Sequence, residues 1–202
     1  CSATHRSALL NNTPMSISCG CLILTERPTH VPEIVLIRDM TDADSDQVLA
    51  IYQQGIATGH ATFEHEIPPW AEFSGKRRAR PRLVAEVNGR IAGWAALASV
   101  SARPVYAGVC EHSIYIDENA RGKGVGASLL QAFLEEALDA GIWMIESRIF
   151  PENTASLRLH LSCGFRVVGR RKRMGKMPYG PMKGVWRDCI LVEWRRDQTL
   201  DE

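Results

Sequence analysis

Residues 110–126 read Cys-Glu-His-Ser-Ile-Tyr-Ile-Asp-Glu-Asn-Ala-Arg-Gly-Lys-Gly-Val-Gly. An alternating run suited to a β-strand feeds a loop holding Gly122, Gly124 and Gly126, and an amphipathic helix follows directly. Glycines at such a turn leave backbone N–H groups unshielded by Cβ atoms, and the positive end of the helix dipole favours negative charge there. The segment therefore demands a strand–loop–helix unit whose loop approaches an anion, beside a strand that carries a carboxylate, Glu111.

The spacing departs from the commoner phosphate loops. Lys123 is followed by Gly124 rather than Ser or Thr, and the glycines run G-x-G-x-G rather than G-x-G-x-x-G. A second patterned segment follows an apolar run, Ile142-Trp143-Met144-Ile145. It reads Asn153-Thr154-Ala155-Ser156-Leu157-Arg158-Leu159-His160-Leu161-Ser162-Cys163-Gly164-Phe165. Helical spacing sets Asn153, Ser156 and His160 on one face, and Gly164 suits a left-handed helix end.

Arg121, Gly124 and Gly126 resemble the R-x-x-G-x-G signature of the GNAT superfamily of N-acetyltransferases, and 153–165 resembles its N-x-x-[AS]-x-x-L-[YH]-x-x-x-G-F signature. Within that superfamily, Glu111-His112-Ser113-Ile114-Tyr115-Ile116 is similar to the E-H-S-V-Y-V strand of the phosphinothricin and methionine-sulfone acetyltransferases. Ala61-Thr62-Phe63-Glu64 and Trp186-Arg187-Asp188 resemble their A-T-F-E turn and W-x-D segment. Arsinothricin acetyltransferases share these patterns. The resemblance spans roughly residues 34–196.

The resemblance implies acetyl-CoA as cosubstrate and the α-amino group of a small amino acid, or of an analogue, as acceptor. It implies that Ile114, Tyr115 and Ile116 run beside the pantetheine arm as a neighbouring strand would. Arg121, Gly122, Lys123, Gly124, Val125, Gly126 and Ala127 would wrap the pyrophosphate, and Asn153 would contact the cofactor as well as capping its helix. On the acceptor side, Arg103, Val105 and Tyr106 fall where relatives carry R-x-R-x-A-Y. Ser101 replaces the first arginine, which disfavours acceptors with a second anionic group. Arg103 suits an α-carboxylate, and Phe63 an apolar wall.

An ammonium has no lone pair, so acyl transfer to it requires a base; general-base help of this kind contributes ~10²–10⁴ in rate. Glu111 is the candidate. Alternation puts Glu111, Ser113 and Tyr115 on one strand face and Cys110, His112, Ile114 and Ile116 on the other. The competing reading of Glu111 is an ion pair with an arginine such as Arg103. His112 reads as a satisfied structural residue. The resemblance makes His160 the candidate acid, since the family's general acid often occupies this helical position as Tyr; an imidazolium there could protonate the departing thiolate, with core packing as the alternative.

The 202 residues, 45% hydrophobic and with a formal charge of +1, suit one core and no general affinity for nucleic acid or anionic membrane. The basic run Arg170-Arg171-Lys172-Arg173 lacks interleaved aromatic residues and reads as a solvated face or a contact to cofactor phosphate. Cysteines 1, 19, 21, 110, 163 and 189 are scattered without a metal-ligand pattern, and free thiols in the cytoplasm are expected. Relatives commonly dimerise, so a homodimer is also an expectation. Residues 1–32 read as a disordered tail, 33–197 as the acetyltransferase domain and 198–202 as a second tail. The opening Cys1 fits either a fragment or an upstream extension of a frame starting at Met15.

Strands are expected at 34–37, 83–87, 91–97, 108–117 and 142–149, with two more at the C-terminal end. Helices are expected at 42–54, 68–78, 127–140 and 153–162. Asn88-Gly89 marks a hairpin. This order predicts an α/β fold: a single GNAT-type domain with a mixed, mostly antiparallel central sheet flanked by helices. A protein or peptide N-terminal acetyltransferase and a non-catalytic acetyl-CoA-binding module stand as alternative functions.

Overall fold

The computed structural model describes residues 34–196; the two expected tails, 1–32 and 198–202, lie outside the described residues. Seven strands form one sheet: β1 (Val35–Asp39), β2 (Arg82–Val87), β3 (Arg90–Ser99), β4 (Val109–Ile116), β5 (Met144–Ile149), β6 (Arg166–Lys176) and β7 (Trp186–Arg195). Their order is β1-β2-β3-β4-β5-β7-β6. Only β4 and β5 pair in parallel; every other pairing is antiparallel. The expected mixed, mostly antiparallel sheet is thus observed.

Helices α1 (Ser45–Ala57) and α2 (Trp70–Gly75) cover one face, and α3 (Val125–Asp139) and α4 (Thr154–Ser162) the other. The strand period of two sorts side chains between the faces. On β3, Ala95 and Leu97 join Leu129, Leu130 and Phe133 of α3. Trp94 and Ala96 join Val48, Ile51, Tyr52 and Ile56 of α1, together with Phe73 of α2. With both faces covered, β3 reads as a nearly continuous apolar run.

Differences from the expected boundaries have local causes. The first helix is preceded by a 3-10 turn at Asp42–Asp44, because the Asp44 carboxylate accepts from both the backbone N–H and the hydroxyl of Thr41. Asp44 also pairs with Arg38 at 2.8 Å, which holds its carboxyl at about 2. α2 begins only at Trp70, after Pro68 and Pro69, and is shorter than expected. α3 starts two residues early, since Gly124, at φ +83°, supplies a left-handed N-cap. β5 starts two residues late because the N–H groups of Trp143 and Met144 both turn to the Gly108 carbonyl.

One feature of the sheet prepares the site. β4 and β5 are in register only at Val109↔Met144, Cys110↔Ile145 and Glu111↔Glu146. Beyond Glu111 the two strands part. β4 stays paired with β3, and β5 with β7. Alternate peptide groups of β4 between His112 and Ile116 therefore face a gap rather than a strand.

Candidate active site

A cavity of about 760 Å³ fills the fork between β4 and β5. Glu111, His160, Ile114, Tyr115, Ile116, Arg121, Gly122, Gly124, Gly126, Ala127, Asn153 and Phe63 all line it. The two signatures and the A-T-F-E turn, far apart in the chain, thus converge on one space. Lys123 and Val125 do not line it, and the Val125 side chain is buried in the core beside α3. Arg103, Val105 and Tyr106 sit on the turn before β4 and do not line it either. Val105 and Tyr106 are exposed, with Arg103 above the Tyr106 ring.

At one end of the cavity lies the glycine loop. Gly122 and Gly124 have φ of +75° and +83°, and a Cβ added to either would meet no atom within 4 Å. The loop is therefore open on the side toward which a side chain at either position would project. No side chain caps α3; of the first-turn N–H groups of this 15-residue helix, that of Ala127 already donates to the Gly124 carbonyl at 3.0 Å, and an oxyanion would be met by those before it. Gln54 steadies the loop's entry by donating to the Asp117 carboxylate at 2.8 Å while accepting from the Glu118 N–H at 3.0 Å. Arg121 folds back and donates to the Ile116 carbonyl at 3.3 Å. These features fit a pyrophosphate in the loop and an amide-bearing arm along β4.

Along the fork, the Tyr115 side chain is locked between Trp94, stacked at 4.8 Å, and Tyr52, edge-on at 5.0 Å. Asn153 caps α4, its side chain accepting from the Ser156 N–H, and its amide donates to the His60 carbonyl. His160 is buried, and its Nδ1 lies 2.7 Å from the Ser156 carbonyl. A carbonyl only accepts, so the proton is on Nδ1 and Nε2 carries the lone pair. That lone pair faces Nε2 of His112 at 2.8 Å. His112 must then donate, which leaves its own buried Nδ1 without a partner among the described residues.

Burial pushes both imidazoles below their ordinary pKa, and each is neutral at pH 7. This corrects the expected protonation state: His160 is a neutral imidazole with both nitrogens engaged, not an imidazolium. His112, read as a structural residue, is its partner and lines the same cavity.

Glu111 stands at the point where β4 and β5 part. Its carboxylate meets Nη1 of Arg148 at 3.2 Å, and Nη2 of Arg148 meets Glu146 at 2.8 Å. The arginine beside Glu111 is therefore Arg148, not Arg103. Burial raises the Glu111 carboxyl above the usual carboxylate range, Arg148 opposes the rise, and Glu146 adds to it.

Sequence reasoning missed Arg148, Glu146 and Arg187. Glu146 and Arg148 alternate with buried Ile145, Ser147 and Ile149, a period-two pattern that puts both on the Glu111 side. Arg187, hidden between the two named residues of W-x-D, is 2% exposed, whereas Trp186 is exposed. It donates to the Gly59 carbonyl and to Glu152, sits 3.1 Å from His60 Nδ1, and lies over the Phe150 ring.

The A-T-F-E turn contributes an aromatic wall to the cavity. Phe63 packs edge-on to Phe150 at 4.9 Å, with Met174 nearby in the lining. The long 174–184 segment packs onto this turn: the Tyr179 hydroxyl contacts the carbonyls of Ile56 and Thr62, and Met177 is buried. The basic run on β6 is exposed, with Arg166 paired to Glu193 and Arg170 to Asp188.

Residues 41–165 match the model of the acetyltransferase (GNAT) family. The chain belongs to the GNAT acetyltransferase family. Over 165 residues it is 34% identical to the phosphinothricin N-acetyltransferase of Alcaligenes faecalis, covering 78% of this chain and 80% of the relative. Over 171 residues it is 31% identical to the L-methionine sulfoximine/L-methionine sulfone acetyltransferase of Pseudomonas aeruginosa, covering 81% and 95%. The GNAT superfamily phosphinothricin acetyltransferase from Sinorhizobium meliloti, solved in complex with AcCoA, superposes with a TM-score of 0.70 at 28% identity. That match covers 80% of this chain and 88% of that one. Within this GNAT domain the described residues contain no helix long and apolar enough to cross a membrane.

Proposed function

We propose that this GNAT enzyme transfers acetyl from acetyl-CoA to the α-amino group of a small amino acid or amino-acid analogue, of the phosphinothricin and methionine-sulfone kind. The names of its relatives supply the acceptor class. The observation that carries the reading is the fork itself, an open glycine loop at one end of a single cavity and Glu111 at its vertex.

Acetyl-CoA brings the acyl group as an activated thioester. The loop from Arg121 to Ala127, Lys123 and Val125 included, receives its pyrophosphate, chiefly through backbone N–H groups. The peptide groups of Ile114 to Ile116 run beside its amide-bearing arm, and Asn153 borders that arm from α4. Glu111 takes a proton from the acceptor ammonium, whose pKa of about 8 in peptides leaves it mostly charged at pH 7. The lone pair so released attacks the acyl carbon; as the C–S bond breaks, the nitrogen sheds its second proton and the sulfur takes it up to leave as a thiol, while Glu111 passes the first proton to solvent. A thiol pKa near 8.5 makes a dedicated acid dispensable. His160, held by Ser156 and His112, shapes the cavity wall and orients no proton toward it. Phe63 and Phe150 wall the acceptor side chain, and the Glu111–Arg148–Glu146 group, net negative by one charge, favours an ammonium.

Arg103, Val105 and Tyr106 do not line this chain's cavity and would reach an acceptor site as residues presented by another copy of the chain. Their exposure beside exposed Val100 and Trp143 suits a homodimer, which sedimentation would test. The free thiols of Cys110, Cys163 and Cys189 suit a reducing cytoplasm. The domain that does this work extends over residues 33–197.

The test is free-thiol release from acetyl-CoA against methionine sulfone, methionine sulfoximine, phosphinothricin, ordinary amino acids and a short peptide. Turnover with a free amino acid, reduced ~10²–10⁴-fold in Glu111→Gln, is the expected result. Release with the peptide alone would move the assignment to protein acetylation.

A further inference from the structure

Glu111 has an environment that raises its carboxyl pKa, which strengthens it as a base only while the carboxyl still ionises at the working pH. Its side chain is about two-thirds withdrawn from water, with 36% relative exposure, and its register partner across the parallel pair is another carboxylate, Glu146. Burial and a like charge both favour the protonated acid, which cannot accept a proton. Arg148 resolves this. Placed two residues beyond Glu146 on β5, it projects from the same face and spans both carboxylates, one terminal nitrogen to each. Its Nε is buried and makes no hydrogen bond among the described residues, so the guanidinium's hydrogen bonds go to these two carboxylates.

We infer that Arg148 is the positioning residue of the acceptor site: its guanidinium, bonded to Glu111 and Glu146 at once, fixes the Glu111 carboxylate at the fork of β4 and β5. The inference rests on the base reading of Glu111 given above. Other charged or titratable groups face Glu111 from each neighbouring element. β5 presents Glu146 alongside Arg148, Arg171 of β6 acts on Glu111 from a distance, and the Cys189 thiol of β7, His60 and Glu152 share its cavity. On β3 its partner is Ala98, which carries no charge. Arg148 is the one of these that touches the carboxylate. Its effect is opposed by Glu146 and reinforced by Arg171.

Two substitutions on β5 should therefore act in opposite directions, which a merely structural role for the strand does not produce. In Arg148→Gln the Glu111 carboxyl loses its cation and keeps its anionic neighbour, so its titration midpoint should rise by roughly one pH unit or more. In Glu146→Gln the repulsion disappears while Arg148 remains, so the midpoint should fall. Arg148→Lys, which keeps the charge but not the fork, should lie between Arg148→Gln and the unsubstituted protein.

The measurement is the carboxyl ¹³C titration of Glu111 in the ligand-free protein, its signal assigned by its loss in Glu111→Gln. It is paired with the acid limb of the kcat/KM profile for the amino-acid acceptor. Opposite displacements of the NMR midpoint, followed by the kinetic limb, are expected. An NMR midpoint unmoved in both Arg148→Gln and Glu146→Gln would overturn the inference. If Arg148→Gln fails to fold, Glu146→Gln alone decides: a midpoint that does not fall overturns it. Midpoints that move while Glu111→Gln keeps full turnover would leave the electrostatics intact but remove the base, and with it the role assigned to Arg148.

Discussion

The Nε2 atoms of His112 and His160 lie 2.8 Å apart, joining β4 to α4 across the wall of the cavity. The contact requires one donor and one acceptor, a condition that two neutral imidazoles of opposite tautomer meet. Around them stand Phe133 and Phe165, which offer a charged ring no hydrogen-bond acceptor. Burial depresses both pKa values in the folded chain, whereas an unfolded histidine titrates near 6.5. Between the folded and unfolded values the unfolded state binds more protons, so stability is full above about pH 6.5 and is lost as pH falls below it. The slope should approach about 1.4 kcal/mol per pH unit for each histidine that stays neutral in the fold. Urea midpoints from pH 7.5 down to 5.5 would measure it. His112→Phe should flatten the slope, and lower stability at pH 7.5 by about 1–2 kcal/mol because the His160 acceptor is left unpaired. An unchanged slope would refute the account.

Gly124 separates cofactor binding from folding. Its φ of +83° makes any side chain there cost about 1–2 kcal/mol of backbone strain. Yet an added Cβ would touch no protein atom within 4 Å, so packing adds no further cost. A valine side chain would instead project into the space before the loop amides. Gly124→Val should weaken acetyl-CoA binding by about tenfold or more, beyond what its loss of stability explains. Calorimetric titration at a temperature where both proteins remain folded would check this. Equal affinity would mean that the loop does not hold the pyrophosphate.

Much of the site was legible in the sequence because it is local. Gly122, Gly124 and Gly126 occupy alternate positions within five residues, and Asn153, Ser156 and His160 follow a single helical period, so short windows contain their geometry. Alternation along 110–116 correctly assigned Glu111 and Tyr115 to one face and His112 to the other. What escaped is what depends on partners far away in sequence. Arg148 meets Glu111 across 37 residues, and Arg187 reaches Gly59 across 128; neither distance leaves a trace in any window. Arg103 and Tyr106 precede β4 by a few residues, but the direction in which a turn faces is set by packing, and here it faces away from the cavity.

Close packing at Gly55 shows how tightly α1 is set against the fork. A Cβ on Gly55 would lie 2.5 Å from Cε1 and 2.6 Å from Cδ1 of Tyr115. The Tyr115 ring cannot swing aside, being stacked on Trp94 and flanked by Tyr52. Gly55→Ala should therefore force α1 or β4 outward at a cost of about 1–3 kcal/mol. The double substitution Gly55→Ala with Tyr115→Leu should recover part of that loss. Thermal melts of the two singles and the double form the cycle, and strict additivity would deny the contact.

Arg187 ties the turn that carries His60 and Phe63 to the sheet. Its guanidinium serves three groups from two separate segments: the Gly59 carbonyl at 3.0 Å, His60 Nδ1 at 3.1 Å and the Glu152 carboxylate at 3.1 Å. It also lies 4.1 Å from the Phe150 ring centre. Arg187→Met keeps much of the volume but removes every donor. Glu152 is half-exposed and regains water, so the cost comes mainly from the abandoned Gly59 carbonyl and should be about 1–3 kcal/mol. The turn carrying His60, Ala61, Thr62 and Phe63 would then lose its anchor, while the glycine loop at the far end of the cavity is untouched. The KM for the amino-acid acceptor should rise several-fold, with the KM for acetyl-CoA nearly constant. Arg187→Lys should not restore it, because one ammonium cannot spread three donors over this fan of acceptors as a planar guanidinium does. A parallel rise in both KM values would instead mark Arg187 as a residue of general stability, with no particular tie to that turn.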